Sequence, residues 1–191
     1  MLRPEDREAF LAGFERLSPE SRYFRFFTPM PRMPKSVLDR LLHTDGIDHV
    51  ALSAWRDAAD GRTEPIGVAR FVRLAAGGDT AEAAIAVVDH MHARGVGRLL
   101  LADLCDAARE RGIRRFRGEI MRGNEAVVAL LHDVEAKPVA VEGNIAVFEL
   151  DVPAAPGAEP AHGILVRMLR SIARGLATPR GLDRRRAGGT S

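Results

Sequence analysis

Asp89-His90-Met91-His92-Ala93-Arg94-Gly95-Val96-Gly97-Arg98 is the stretch of this 191-residue chain on which its fold turns. Residues 80–88 before it read as a strand. Residues 95–111 after the first glycine read as an amphipathic helix, with Leu99, Leu100, Leu104, Ala107 and Ala108 on the buried side. Gly112 stops that helix. Two glycines spaced by one residue at a helix start let successive backbone N–H groups converge on an anion, and the positive end of the helix dipole adds to the attraction. Arg94 and Arg98 supply charge for a phosphate. Taken alone, the same glycine pair serves equally well as a packing turn.

Working outward toward the N-terminus, residues 4–17 read as a helix with Phe10, Phe14 and Leu17 on one face. Ser18-Pro19-Glu20 is a new N-cap signal. Prolines 29, 31 and 34 then break the chain before a short helix over 35–43. Strands are expected over 49–56 and 65–74, joined by a polar linker carrying Gly61. After the long helix come a strand over 113–120, a helix over 124–134 and a hairpin over 137–150 that turns at Glu142-Gly143-Asn144. The order predicts an α/β fold: an antiparallel meander, then one parallel crossover in the middle of a mixed sheet.

Composition bounds the function classes. Hydrophobic residues make up 46% and charged residues 28%, which is ordinary for a globular domain. The one cysteine, Cys105, excludes an internal disulfide and is expected to be a buried, inert thiol, so a cytoplasmic location is the default expectation. No apolar run approaches the roughly 20 residues that span a bilayer. The net charge of +2 divides into +5 from residue 156 onward and −3 on the body, so the body offers no basic groove for nucleic acid. The six histidines show no metal-ligand spacing, and no metal is expected.

A dinucleotide-binding strand would open the chain, whereas here the strand follows a meander and the glycines come several residues later. The region from Met1 to about Asp151 resembles the GNAT acetyltransferase family. That family's Gln/Arg-x-x-Gly-x-Gly/Ala loop aligns with His92 to Gly97, with His92 in place of the usual first residue. Leu99-Leu100, Ala107-Ala108, Arg111-Gly112-Ile113 and Asn124 extend the likeness. Ser18-Pro19-Glu20-Ser21-Arg22-Tyr23 followed by Arg25-Phe26-Phe27 looks like the acetyltransferase domain of bacterial protein-lysine acetyltransferases, which is often fused to a regulatory or acyl-CoA synthetase-like module. The implied fold is the GNAT acyl-CoA N-acyltransferase fold, a mixed, mostly antiparallel sheet with a central parallel strand pair flanked by helices. Its first strand is reduced, since Leu2-Arg3-Pro4-Glu5-Asp6 starts almost at the turn that follows it.

The resemblance implies acetyl-CoA as co-substrate and a primary amine as acceptor, favouring a protein lysine. Backbone groups of Val87 and Val88 would bond the pantetheine arm like an added strand. The N–H groups of Ala93, Arg94, Gly95, Val96, Gly97 and Arg98 would hold the pyrophosphate, next to His92, and Asn124 would lie near the thiol. A lysine amine has a pKa of roughly 10.4 and must lose a proton before attack. In the protein-lysine acetyltransferases that this chain resembles, a glutamate at the place of Glu82 serves as general base; the alternative is a solvated residue near a strand end. Alternation puts Thr80, Glu82, Ala84, Ala86 and Val88 on one face, and burial of Glu82 there would make it a better base. The usual tyrosine acid is replaced by Leu131 with His132 beside it, so the acid stays unassigned, and Glu135-Ala136 replaces the family's Gly-Phe. Glu119 and Tyr23 are further candidates to line the acceptor side.

Residues 1–152 are thus read as the catalytic domain, 153–163 as a linker and 164–191 as a basic tail. Within the tail Ile164, Leu165, Met168, Leu169, Ile172 and Leu176 form an apolar stripe flanked by Arg167, Arg170 and Arg174. Three readings stay open for it: a helix packed on the domain, a contact with a partner or an anionic membrane surface, or a disordered tail. Two rivals to protein-lysine acetylation also stand: a small-molecule amine acceptor and a non-catalytic acyl-CoA-binding module.

Overall fold

The computed structural model describes residues 2–58, 61–154 and 178–180. Three helices come first: α1 (Arg7–Glu15), α2 (Pro19–Phe26) and α3 (Lys35–Leu42). The helix expected over 4–17 is shorter at both ends. The Asp6 carboxylate accepts the Arg3 N–H at 2.8 Å, so Pro4–Asp6 close a tight 3-10 turn before α1 begins. At the other end Arg16 and Leu17 bond back only three residues, to Gly13 and Phe14. Ser18 caps α2 as expected, its Oγ accepting the Ser21 N–H at 3.1 Å.

The meander follows as β1 (His49–Asp57), β2 (Thr63–Arg73) and β3 (Thr80–Val87), antiparallel throughout. Helix α4 (Val96–Arg109) crosses over to β4 (Arg115–Met121), which runs parallel to β3. Helix α5 (Glu125–Asp133) leads into the hairpin β5 (Lys137–Glu142) and β6 (Ile145–Asp151). With β7 (Thr178–Arg180) the sheet has the order β5-β6-β4-β3-β2-β1-β7. Each strand and helix expected from residue 35 to 151 is present, its ends shifted by a residue or two.

Alternation assigns the two faces of the sheet. Val50, Leu52, Ala69, Phe71 and Ala81 are buried on one face against α4, whose expected core residues Leu99, Leu100, Leu104, Ala107 and Ala108 are all at most 3% exposed. Ala51 turns the other way and packs with Leu2, Leu38 and Leu42 under α1 and α3. Gly67 is where β2 passes closest to α4: a Cβ there would lie 2.9 Å from Leu100 Cδ1 and 3.1 Å from the Ala86 carbonyl oxygen. Cys105 is buried in the same core, as expected.

What remains of the first strand is one bond, from Leu2 N–H to the Ala51 carbonyl at 2.9 Å. Further along the same edge, Thr178–Arg180 pair antiparallel with Ser53, Ala54 and Trp55 of β1. A strand returning from the tail therefore covers the edge that a missing first strand leaves open. The expected amphipathic helix and all but the first two residues of the expected 153–163 linker lie outside the described residues. No helix among the described residues is long and apolar enough to cross a membrane.

The contact at Gly67 overrides strand propensity. Valine is a strong strand former, yet Gly67→Val is expected to destabilise the domain by about 1–3 kcal/mol through overpacking against Leu100. Urea unfolding monitored by circular dichroism measures the loss, and a variant as stable as wild type would contradict the close packing of β2 on α4.

Candidate functional site

The parallel pairing of β3 with β4 is short. It joins Thr80, Ala81 and Glu82 to Arg115, Phe116 and Arg117, and then the two strands part. On its other side β3 stays bonded to β2 as far as Val88, whose N–H reaches the Ile66 carbonyl at 3.0 Å. Strand alternation then turns the N–H and C=O groups of Ile85 and Val87 toward the gap. The gap opens into a cleft of about 490 Å3 between β3, the start of α4 and α5. Of the two residues expected to present backbone there, Val87 does and Val88 does not. Val88 is engaged by β2 and lines a separate apolar cavity under α1 and α2. Ile85 takes its place, missed because the direction of backbone bonds depends on which neighbour a strand pairs with.

The glycine loop forms the mouth of this cleft. Ala93 (φ 56°) and Gly95 (φ 80°) are both left-handed, a conformation that costs an alanine about 1 kcal/mol or more. Between His92, whose N–H bonds the Asp89 carbonyl, and Leu99, whose N–H bonds that of Gly95, no backbone N–H is bonded among the described residues. The loop thus presents a run of free donors at the positive end of α4, which is an anion-binding arrangement. His92 donates Nε2–H to the Val87 carbonyl at 2.8 Å, tying the loop to the strand. Ala93, Gly95, Val96, Gly97 and Arg98 line the cleft, while Arg94 is exposed at its rim. The Arg98 guanidinium, expected to supply charge for a phosphate, is bonded to Asp133 of α5 and shares its charge with that carboxylate.

A second cavity, of about 160 Å3, lies between β3, β4 and α2. Phe24, Ile85, Asn124, Val127 and Leu130 line both spaces, so they meet where the strands part. Asn124 caps α5 there, its Oδ1 accepting the Val127 N–H at 3.3 Å. Glu82 and Glu119 both line the second cavity, beside Arg25 and Arg117. Glu82 is exposed, so the burial expected to tune it is absent. Leu131 lines this cavity in the place of the expected tyrosine, whereas His132 is exposed and lines neither space. Behind Glu82 stands Arg70, 9% exposed and hydrogen-bonded to His49. Burial first, then neighbouring Arg25 and Arg40, bring its pKa down to about 10 against the opposing pull of Glu82. No group of His, Cys, Asp and Glu among the described residues is arranged to hold a metal.

One carboxylate joins the two halves. Asp89, at the foot of the glycine loop, accepts the Ser18 N–H (2.9 Å), the Ser18 hydroxyl (2.7 Å) and the Ser21 hydroxyl (2.8 Å). It anchors the N-terminus of α2, which walls the second cavity, to the loop that opens the first. Sequence reading assigned Ser18 its cap but gave Asp89 no role, since the two lie far apart in the chain.

The profile of the acetyltransferase (GNAT) family matches residues 13–133. The GNAT domain of S. lividans PAT is 34% identical and superposes with a TM-score of 0.71 over 78% of this chain and 87% of that one. An acetyltransferase of Pseudomonas aeruginosa is 30% identical over 126 residues, covering 66% of this chain and 67% of the relative. Acetyltransferase Pat of Mycolicibacterium smegmatis is 29% identical over 150 residues, which make up 78% of this chain but 44% of Pat. This chain therefore spans less than half the length of Pat.

Asp89 also makes the site sensitive to acid. Burial pushes its carboxyl up, but the three donations from Ser18 and Ser21 outweigh burial and hold it below the usual carboxylate value. A depressed folded pKa stabilises the protein above the unfolded value of roughly 3.9, and the contribution is lost as pH falls through the folded value. Asp89→Asn is expected to lower stability at pH 7 by about 2 kcal/mol, with the deficit shrinking below about pH 4. Urea unfolding of both proteins across that pH range tests this. An equal deficit at every pH would show that the charge of Asp89 is not what matters.

Proposed function

This chain belongs to the GNAT acetyltransferase family, and from that premise we propose that it carries an acetyl group from acetyl-CoA to a lysine side chain on a protein. The observation that carries the reading is the parting of β3 and β4 beyond Glu82, with free loop N–H groups at one end of the gap and two carboxylates at the other. Acetyl-CoA, when bound, supplies the thioester carbonyl and a thiolate leaving group. The loop N–H groups of residues 93–98 hold its pyrophosphate, with Arg94 at the rim and His92 fixing the loop to Val87. Backbone groups of Ile85 and Val87 hold the pantetheine amides in the manner of a paired strand, and Asn124 stands at the junction where the thioester lies.

The acceptor amine enters from the second cavity. At neutral pH an amine of pKa roughly 10.4 is almost wholly protonated, and Glu82 takes that proton, directly or through a water. The side chain at position 131 has no proton to give, so the thiolate, with a conjugate pKa of roughly 8.5, leaves without an assigned acid. The lysine acceptor draws support from the Ser18–Phe27 sequence of α2 and its cap, which looks like that of bacterial protein-lysine acetyltransferases.

Two variants test the assignment. Arg94→Glu/Gly95→Glu places negative charge where phosphate is held and is expected to abolish acetyl-CoA binding in isothermal titration. Glu82→Gln is expected to bind acetyl-CoA as wild type does, while kcat on lysine peptides falls by about 100-fold or more. Full turnover in Glu82→Gln would remove it as the base.

A further inference from the structure

Two arginines of α2 sit one turn apart and are treated very differently. Arg22 donates to the Phe14, Pro31 and Glu15 carbonyls at 3.2, 2.8 and 2.9 Å and lies over the Phe14 ring. Arg25 lines the acceptor cavity and makes no hydrogen bond and no ion pair among the described residues. Its guanidinium carbon lies 5.2 Å from the centroid of the Phe26 ring. A half-buried guanidinium packed this way loses part of its hydration and gets no protein acceptor in return, which proteins tolerate at sites where a ligand supplies the missing anion.

The charges around it lead to the same place. Glu82 attracts Arg25 through space without a hydrogen bond, and it attracts Arg70 behind it as well. Arg117 is the register partner of Glu82 on β4, and the Glu149 carboxylate opposite it on β6 is paired with Arg115 instead. Arg25 thus brings an unpaired guanidinium to the cavity, while Glu82 and Glu119 line the same space with carboxylates. A cavity lined by both guanidinium and carboxylate groups is complementary to a ligand bearing both a carboxylate and an ammonium.

We propose that Arg25 binds a carboxylate on the acceptor, so that the enzyme selects amines that carry an acidic group within reach. This rests on the acetyl-transfer reading above and narrows its substrate class. The carboxylate comes either from an aspartate or glutamate flanking a target lysine or from the α-carboxyl of a free amino acid. Arg25 forms with it the fork of two charge-assisted hydrogen bonds that its guanidinium lacks in the free protein.

Binding of acetylated products tests the inference without requiring turnover. The full chain, saturated with CoA, is titrated with two matched pairs: an acetyl-lysine peptide flanked by aspartate against one flanked by asparagine, and N-acetylglycine against N-acetylglycinamide. In at least one pair the carboxylate member is expected to bind about tenfold more tightly, and that pair identifies the source. Arg25→Gln removes the preference and leaves the neutral member's affinity and CoA binding unchanged, whereas Arg25→Lys, which keeps the charge and serves as the folding control, retains part of it. Equal binding within both pairs, or an Arg25→Gln variant that keeps the preference, overturns the proposal. Acetylation rates on the matching unacetylated amines separate the two readings. Transfer without carboxylate preference sinks this inference and leaves acetyl transfer standing, while preference in binding with no transfer to any amine sinks acetyl transfer and leaves the carboxylate site.

Discussion

Everything at the site depends on a parallel pairing that stops early. Three residues of β3 bond to three of β4, which holds the sheet together through its middle, and beyond Glu82 and Arg117 the strands separate. Had the pairing continued, the backbone groups of Ile85 and Val87 would be used up inside the sheet and the two cavities would be sealed from each other. Because it stops, strand backbone at the centre of a domain is left unpaired, which proteins allow only where something else completes it. The separation passes right through the sheet, so a ligand against α4 and α5 and another against α2 can meet in one gap.

The two sides of that gap are built from distant parts of the chain and need a mechanical link. Asp89 supplies it, with three hydrogen bonds from the start of α2 to a carboxylate at the foot of the glycine loop. Several bonds to one ionised group are stiff and individually strong. The loop's shape is fixed further by the left-handed Ala93 and Gly95 and by the bond from His92 to Val87. The cleft is thus held by contacts among its own walls, and the exposed faces of the acceptor cavity, Glu82 and Glu119, stand on the strands these contacts position.

Most of the architecture was legible residue by residue. The spacing of Leu99, Leu100, Leu104, Ala107 and Ala108 marked α4 and its buried face, and each is in the core. Ser18 marked a cap and is one, and Gly95 marked the start of the long helix and is its N-cap residue. These features are local: a cap, a helical stripe or a glycine turn is decided within a few residues. The misreadings share a different cause. Val88 was expected to face the ligand, but its N–H belongs to β2. Arg98 was read as supplying charge for a phosphate, and its guanidinium is also bonded to Asp133, thirty-five positions away. The small neighbours of Glu82 were read as leaving room for a substrate, and Glu82 lies exposed beside a cavity that Ala84 also lines.

The sequence by itself determined the order of elements, the helix faces, the loop that presents its N–H groups and the presence of a glutamate on the strand leading to that loop. Each follows from periodicity and turn chemistry over short distances. Only the tertiary structure decided which backbone groups remain unpaired, that Arg25 has no hydrogen-bond acceptor among the described residues, and which returning segment covers the β1 edge. Those outcomes depend on pairings between residues far apart in the chain, where each donor satisfied by one neighbour is withdrawn from every other.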